Sequence, residues 1–129
     1  MNLKRIGSVR RLFNALGYSY AGVRHAVLND VTIRDALIAL AILVPVSILL
    51  PVSDIEHLVL VLSMMLVVLV EFVNSAIETT VDRISLERHP LAGRAKDLGS
   101  AAVLIAVLMS GLCWVVIAGP IAIQWLKGS

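Results

Sequence analysis

The sequence predicts an all-α membrane protein with an N-terminal amphipathic surface helix and three transmembrane helices. Hydrophobic residues make up 59% of the chain and charged residues only 16%, a balance that soluble domains rarely reach. Three long apolar stretches follow a basic segment with helical periodicity. Because 129 residues leave no room for separate membrane and catalytic domains, we expect a single domain in which the membrane helices build any site.

Residues 8–29 predict the amphipathic helix. Their apolar side chains recur at steps of three and four, the helical period, at Val9, Leu12, Phe13, Leu16, Tyr20, Val23 and Val27. Arg10, Arg11 and Arg24 occupy other faces. A basic amphipathic helix beside transmembrane segments is typical of one that lies in the lipid headgroup plane, and a soluble helix packed on the domain is the alternative.

The three spans are predicted at 33–52, 56–82 and 97–126, separated by a short polar turn and by a charged connection at 83–96. Each is close to or longer than the roughly 20 residues that cross a bilayer. Six of the eleven Lys and Arg residues precede Ala36, where the uncharged run of the first span begins, four lie between the second and third spans, and one follows. The positive-inside rule then places the N-terminus and the 83–96 connection in the cytoplasm.

One face of the second span carries polar side chains, which we call the polar stripe: Glu71, Asn74, Ser75, Glu78 and Asp82. Their offsets of three, four, seven and eleven residues align them on a helix. Neighbouring carboxylates at membrane depth repel each other, so they require a cation, protonation or a water-filled polar cavity. Mg²⁺ is the cation expected at a site that binds ATP. Alternatively, the two glutamates pair with basic side chains and hold helices together, and the terminal aspartate is a solvated anchor.

The 87–97 segment brings further charged residues to the cytoplasmic end of the polar stripe, namely His89, Arg94, Lys96 and Asp97. Cations there could hold transferring phosphates. Neither a Walker A motif nor a GxGxxG loop occurs, so only an unusual kinase fits. The single cysteine, Cys113, permits no intrachain disulfide. The net charge of +2 does not indicate nucleic-acid binding.

Three motifs resemble the prokaryotic diacylglycerol kinase family. They are Glu-Phe-Val-Asn-Ser-Ala-Ile-Glu at 71–78, Val-Asp-Arg at 81–83 and Gly-Arg-Ala-Lys-Asp-Leu-Gly-Ser-Ala-Ala at 93–102. Ala-Leu-Gly-Tyr-Ser at 15–19, with Gly22 and Arg24, resembles the surface helix of that family. The resemblance therefore covers nearly the whole chain from Arg11 onward.

The resemblance implies a homotrimeric enzyme of the bacterial inner membrane, with sites shared between subunits. Such an enzyme transfers the γ-phosphate of MgATP to diacylglycerol, a lipid alcohol, directly and in line, without a phosphoenzyme. It requires Mg²⁺ and has no nucleic-acid partner. By matching position, Glu71 would be the general base, and Asp30 and Glu78 would hold the metal. Nucleotide binding would involve Arg11, Tyr18, Asp30, Glu78, Glu87, His89, Lys96 and Asp97. The lipid would lie beside Arg11, Tyr20, Arg24, Glu71, Asn74, Ser100 and Trp114.

Two positions depart from the family pattern. The family usually has Glu where this chain has Asp30, whose shorter arm must approach a metal more closely, and some relatives carry Trp in place of Tyr20. Two other functions stay open at this point. One is the phosphorylation of undecaprenol by the same fold, although the Arg83 and Gly93-Arg94 context resembles the diacylglycerol branch. The other is an oligomeric ion or proton pathway, which would not need the Lys96-Asp97 pair.

Overall fold

The computed structural model describes residues 3–128, which form four α-helices and no strand. Helix α1 is Leu3–Asn29, α2 is Val31–Leu49, α3 is Asp54–Ile84 and α4 is Pro90–Leu126. Within this part of the chain, α2, α3 and α4 are the helices long and apolar enough to cross a membrane. The predicted all-α class with three spans is therefore confirmed.

Local side-chain bonds set the helix boundaries. The Ser53 hydroxyl accepts a hydrogen bond from the Glu56 N–H, and the Glu56 carboxylate accepts one from the Ser53 N–H, each at 3.2 Å. This capping box starts α3 at Asp54, before the predicted residue 56. His89 Nδ1 accepts from the Leu91 N–H at 3.1 Å and Pro90 fills the first helical position, so α4 begins there and the connection shortens to five residues, 85–89.

The chain divides into two compact units, residues up to Arg34 and residues from Asp35 onward. In the first unit, α1 exposes the apolar side chains that the sequence placed on one face, including Leu12, Phe13 and Leu16 at about 60–70% exposure. In the second unit, α3 packs against α4. Many of their large apolar side chains are exposed, which suits helices whose solvent is lipid.

A pair of buried serines joins α3 to α4 within the apolar part of the bundle. Ser63 Oγ and Ser110 Oγ lie 3.1 Å apart, and Ser63 Oγ also donates to the Leu60 carbonyl at 2.7 Å. Because a hydroxyl has only one proton, Ser110 is the donor between the two serines. Small residues with hydroxyls let membrane helices approach closely and hydrogen-bond, so this contact fixes the register of α3 on α4.

Candidate functional site

The polar stripe runs along α3 from a buried end to an exposed end. Glu71 is buried, with 7% of its surface exposed. Asn74, one turn later, is partly buried, and Glu78 and Asp82 are exposed. Asn74 Nδ2 donates to Glu78 Oε1 at 3.4 Å, which links successive turns. The polar stripe thus extends from the part of α3 that packs against α4 to the water-exposed C-terminal end of α3.

Asn74 is seated against α4 because residue 99 is a glycine. Gly99 is buried, and a Cβ atom at that position would collide with the Asn74 side chain. Asn74 Oδ1 is buried against α4 and has no hydrogen-bond partner among the residues that the structure describes. The sequence motif contained Gly99 but did not indicate this packing role.

Replacing Gly99 with alanine is expected to displace Asn74 and to lower the rate of the phosphoryl transfer that the resemblance implies about tenfold or more, since positioning errors at a site are costly. Helix content is expected to be retained, because alanine favours the helix by about 1 kcal/mol over glycine. Circular dichroism and steady-state rates would check both statements. Gly119→Ala on the same helix is the control, because a Cβ there meets no atom within 4 Å. Equal rates for both variants would contradict the role of Gly99.

Lys96 and Asp82 join the two helices at the exposed end of the stripe. Lys96 Nζ donates to Asp82 Oδ1 at 2.8 Å, and the two side chains are 43% and 45% exposed. Lys96 precedes the predicted span 97–126. The hydrogen bond to Asp82 and its charge raise the pKa of Lys96, with a smaller contribution from Glu78, so the lysine keeps its charge at neutral pH. Asp82 is exposed, as a solvated anchor would be, and it also pairs with Lys96 of α4.

A cavity of about 500 Å³ lies beside this ion pair, where the chain turns from α3 to α4. We call it the turn cavity, and its lining includes Asp82, Glu87, His89 and Lys96. Because His89 Nδ1 accepts from the Leu91 N–H, the hydrogen-bond pattern assigns its proton to Nε2. The turn cavity therefore combines an ammonium group with an imidazole donor, which is suitable chemistry for phosphate. Arg94 and Asp97 are not among its described lining residues and are exposed on α4.

In the first unit, the predicted residues of α1 sort onto two faces. Arg11 and Tyr18 are seven residues apart and share a face, whereas Tyr20 and Arg24 lie on the opposite face. All four are exposed. Residues that the resemblance assigns to the nucleotide and residues that it assigns to the lipid thus point in opposite directions from α1, with Arg11 assigned to both.

Asp30 marks the break between α1 and α2. Its Oδ1 accepts a hydrogen bond from the Ile33 N–H at 3.1 Å, which satisfies a free donor in the first turn of α2. Aspartate is a preferred residue for this capping role, and glutamate is not. The shorter side chain at position 30 therefore has a structural use in this chain.

Ser100 and Trp114 occupy different depths on α4. Ser100 is exposed one residue after Gly99, whereas Trp114 lines an apolar cavity of about 330 Å³ with residues of α2 and α3, including Leu40 and Met64. Fourteen residues of helix separate them, roughly 21 Å at 1.5 Å per residue. They cannot both contact a lipid headgroup, but a headgroup and an acyl chain could reach one each.

The exposed carboxylate of Glu78 on α3 is a ligand type that magnesium prefers. Asn74, on the preceding turn, orients that carboxylate, because its Nδ2 donates to Glu78 Oε1 at 3.4 Å. Residues 3–128 contain no group of three or more His, Cys, Asp or Glu side chains arranged to hold a metal. Mg²⁺ commonly uses one or two carboxylates and takes its other ligands from phosphate and water.

The sequence is similar to known proteins over most of its length. The profile of the family described as prokaryotic diacylglycerol kinase matches residues 17–118. The diacylglycerol kinase of Escherichia coli K12 is 45% identical over 107 residues, 83% of this chain and 88% of that protein. The diacylglycerol kinase of Pseudomonas aeruginosa is 43% identical over 109 residues, covering 84% and 89% of the two chains. That of Helicobacter pylori 26695 is 38% identical over 105 residues, covering 81% and 82%.

Proposed function

This chain belongs to the prokaryotic diacylglycerol kinase family, and from that premise we propose that it transfers the γ-phosphate of ATP to the hydroxyl of diacylglycerol. One observation carries the proposal: the polar stripe runs from buried Glu71 to exposed Asp82, where it meets Lys96 and the turn cavity. A lipid kinase must join a reactant dissolved in the bilayer to one dissolved in water. A polar path between those two environments meets that requirement.

Glu71 is proposed as the general base. Its carboxylate takes the proton of the lipid hydroxyl as the hydroxyl oxygen attacks the γ-phosphorus in line. The bond between the γ-phosphorus and the bridging oxygen to the β-phosphate breaks, so the products are phosphatidic acid and ADP. Lys96 and His89 hold the phosphates from the turn cavity, and the positive charge of Lys96 and the hydrogen-bond donors of both side chains stabilise the charge that develops during transfer.

Glu78 and Asp30 are proposed as carboxylate ligands of Mg²⁺, and Asn74 Nδ2 orients the Glu78 carboxylate by donating to Oε1. When bound, the metal would neutralise phosphate charge and orient the transferring group. The nucleotide would also contact Arg11, Tyr18, Glu87 and Asp97, and the lipid would contact Tyr20, Arg24, Ser100 and Trp114. Composite sites in a homotrimer would bring these groups together.

The orientation proposed for the chain has the N-terminus and the α3–α4 connection on the cytoplasmic side of the bacterial inner membrane. Ten of the eleven Lys and Arg residues either precede Ala36, where the uncharged run of the first span begins, or lie between the second and third predicted spans. The expected result is that a cysteine introduced at Glu56, the single native cysteine having been replaced, reacts with an impermeant thiol reagent from outside intact cells. Labelling from the cytoplasmic side instead would contradict both the orientation and the placement of the site.

The substrate is tested by incubating the purified protein with γ-³²P-labelled ATP, Mg²⁺ and a panel of lipid alcohols in mixed micelles. Labelled phosphatidic acid is the expected main product. Preferential labelling of undecaprenol would instead identify the chain as an undecaprenol kinase of the same fold. Absence of any labelled lipid, together with ion flux in proteoliposomes, would replace the kinase proposal by the ion-pathway alternative.

The two roles of Asp30 can be separated by three variants. Asp30→Asn keeps the cap on α2 but removes the charge, so we expect normal stability and weakened use of MgATP. Asp30→Glu keeps a carboxylate but loses the preferred cap, so we expect retained activity and about 1 kcal/mol lower stability. Asp30→Ala is expected to show both losses. Thermal unfolding and the Mg²⁺ dependence of the rate would check them, and unchanged metal dependence in Asp30→Asn would contradict the ligand role.

A further inference from the structure

Asp82 lies on the polar stripe but has no role in the chemistry proposed above. It is close to the C-terminus of α3, where a negative charge opposes the helix dipole. Its ion pair with Lys96 is half exposed to water, and such pairs contribute little to stability. The stability of the helix pair therefore does not explain why a carboxylate occupies this position.

The geometry points to Asp82 as a positioning residue for Lys96, acting on the nucleotide phosphates through that lysine. This inference rests on the proposed function, because it assumes that phosphate binds in the turn cavity. Both partners line that cavity, and the 2.8 Å bond holds the ammonium group of α4 toward α3. A lysine side chain has four flexible carbon–carbon bonds, so an unrestrained ammonium group would sample many positions outside the cavity.

The hydrogen-bonding capacity of Lys96 is compatible with this role. An ammonium group has three donors, and one is used by Asp82. Two donors stay available for phosphate oxygens while the bond to Asp82 is kept. The exposure of both side chains leaves the ammonium group open to a ligand that arrives from water. The charge of Glu78, the proposed metal ligand, also raises the pKa of Lys96.

The test compares Asp82→Ala with Asp54→Ala, which removes an exposed aspartate from the opposite end of the same helix. The full-length protein in detergent micelles is titrated with a non-hydrolysable ATP analogue and Mg²⁺. We expect Asp82→Ala to weaken binding about tenfold and to raise KM for ATP by a similar factor, with kcat and the KM for diacylglycerol changed much less. Asp54→Ala is expected to behave as wild type, and the thermal unfolding of both variants is expected to be close to that of wild type.

Two further variants decide whether Asp82 acts through Lys96. Asp82→Glu, which restores the carboxylate, is expected to recover most of the lost affinity. In a Lys96→Met background, Asp82→Ala is expected to cause no additional loss, because the group to be positioned is gone. Wild-type affinity in Asp82→Ala, failure of Asp82→Glu to recover binding, or a full tenfold loss in the Lys96→Met background would each overturn the inference. Failure of the kinase proposal is seen separately, as wild-type protein that labels no lipid.

Discussion

Replacement of Glu71 by glutamine is expected to lower lipid phosphorylation by ~10² to 10⁴-fold, the usual cost of removing a general base. The amide preserves the shape of the side chain but cannot take the proton of the lipid hydroxyl. Because Glu71 is buried against the helix pair, a substitution that changes its volume would also disturb packing. Glutamine avoids that complication and isolates the chemical role.

Glu56→Gln is the matched control, since it makes the same change at the other end of α3, and glutamine also completes a capping box. We expect it to retain wild-type turnover. Binding of MgATP and the size of the purified oligomer are expected to be unchanged in Glu71→Gln. Near wild-type turnover in Glu71→Gln would rule it out as the base, and a collapse in folded yield with normal specific activity would make its role structural.

Replacement of Glu78 by alanine is the second large effect we expect. The variant should lose roughly 10²-fold in kcat/KM for MgATP, because an anionic oxygen is removed where metal and phosphate charge is held. Glu78 is exposed, so little destabilisation should accompany the loss. Binding of Mn²⁺, followed by electron paramagnetic resonance, provides a measurement independent of turnover.

Asn74→Ala tests the side chain that orients this carboxylate. It removes the amide that donates to Glu78, so we expect weaker Mn²⁺ binding than in wild type but stronger than in Glu78→Ala. The KM for diacylglycerol should be unaffected by Glu78→Ala. Unchanged Mn²⁺ binding in Glu78→Ala would contradict its assignment as a ligand.

Much of the fold was predictable because the bilayer imposes strong constraints on sequence. Apolar length predicted the three spans, and the period of three and four along 8–29 predicted a helix. The ends of the helices were harder to predict from the sequence. His89 and Ser53 define them through single hydrogen bonds to backbone N–H groups, which hydropathy does not report.

The polar stripe was predictable from helical spacing alone, because offsets on one helix need no knowledge of tertiary contacts. Contacts between helices were not predictable in this way. The pairing of Asp82 with Lys96 and the seating of Asn74 on Gly99 depend on the register of α3 against α4. That register is set in part by the buried bond between Ser63 and Ser110, which nothing in the local sequence indicates.

Direct transfer from ATP to the lipid is tested most simply in a single turnover. Purified protein is mixed with less than one equivalent of γ-³²P-labelled ATP, with Mg²⁺ and excess diacylglycerol, and samples are quenched in acid over time. We expect label to move from ATP to phosphatidic acid with matching release of ADP and no labelled protein at any time. Label that appears first on the protein, or ADP that forms without labelled lipid, would contradict the account.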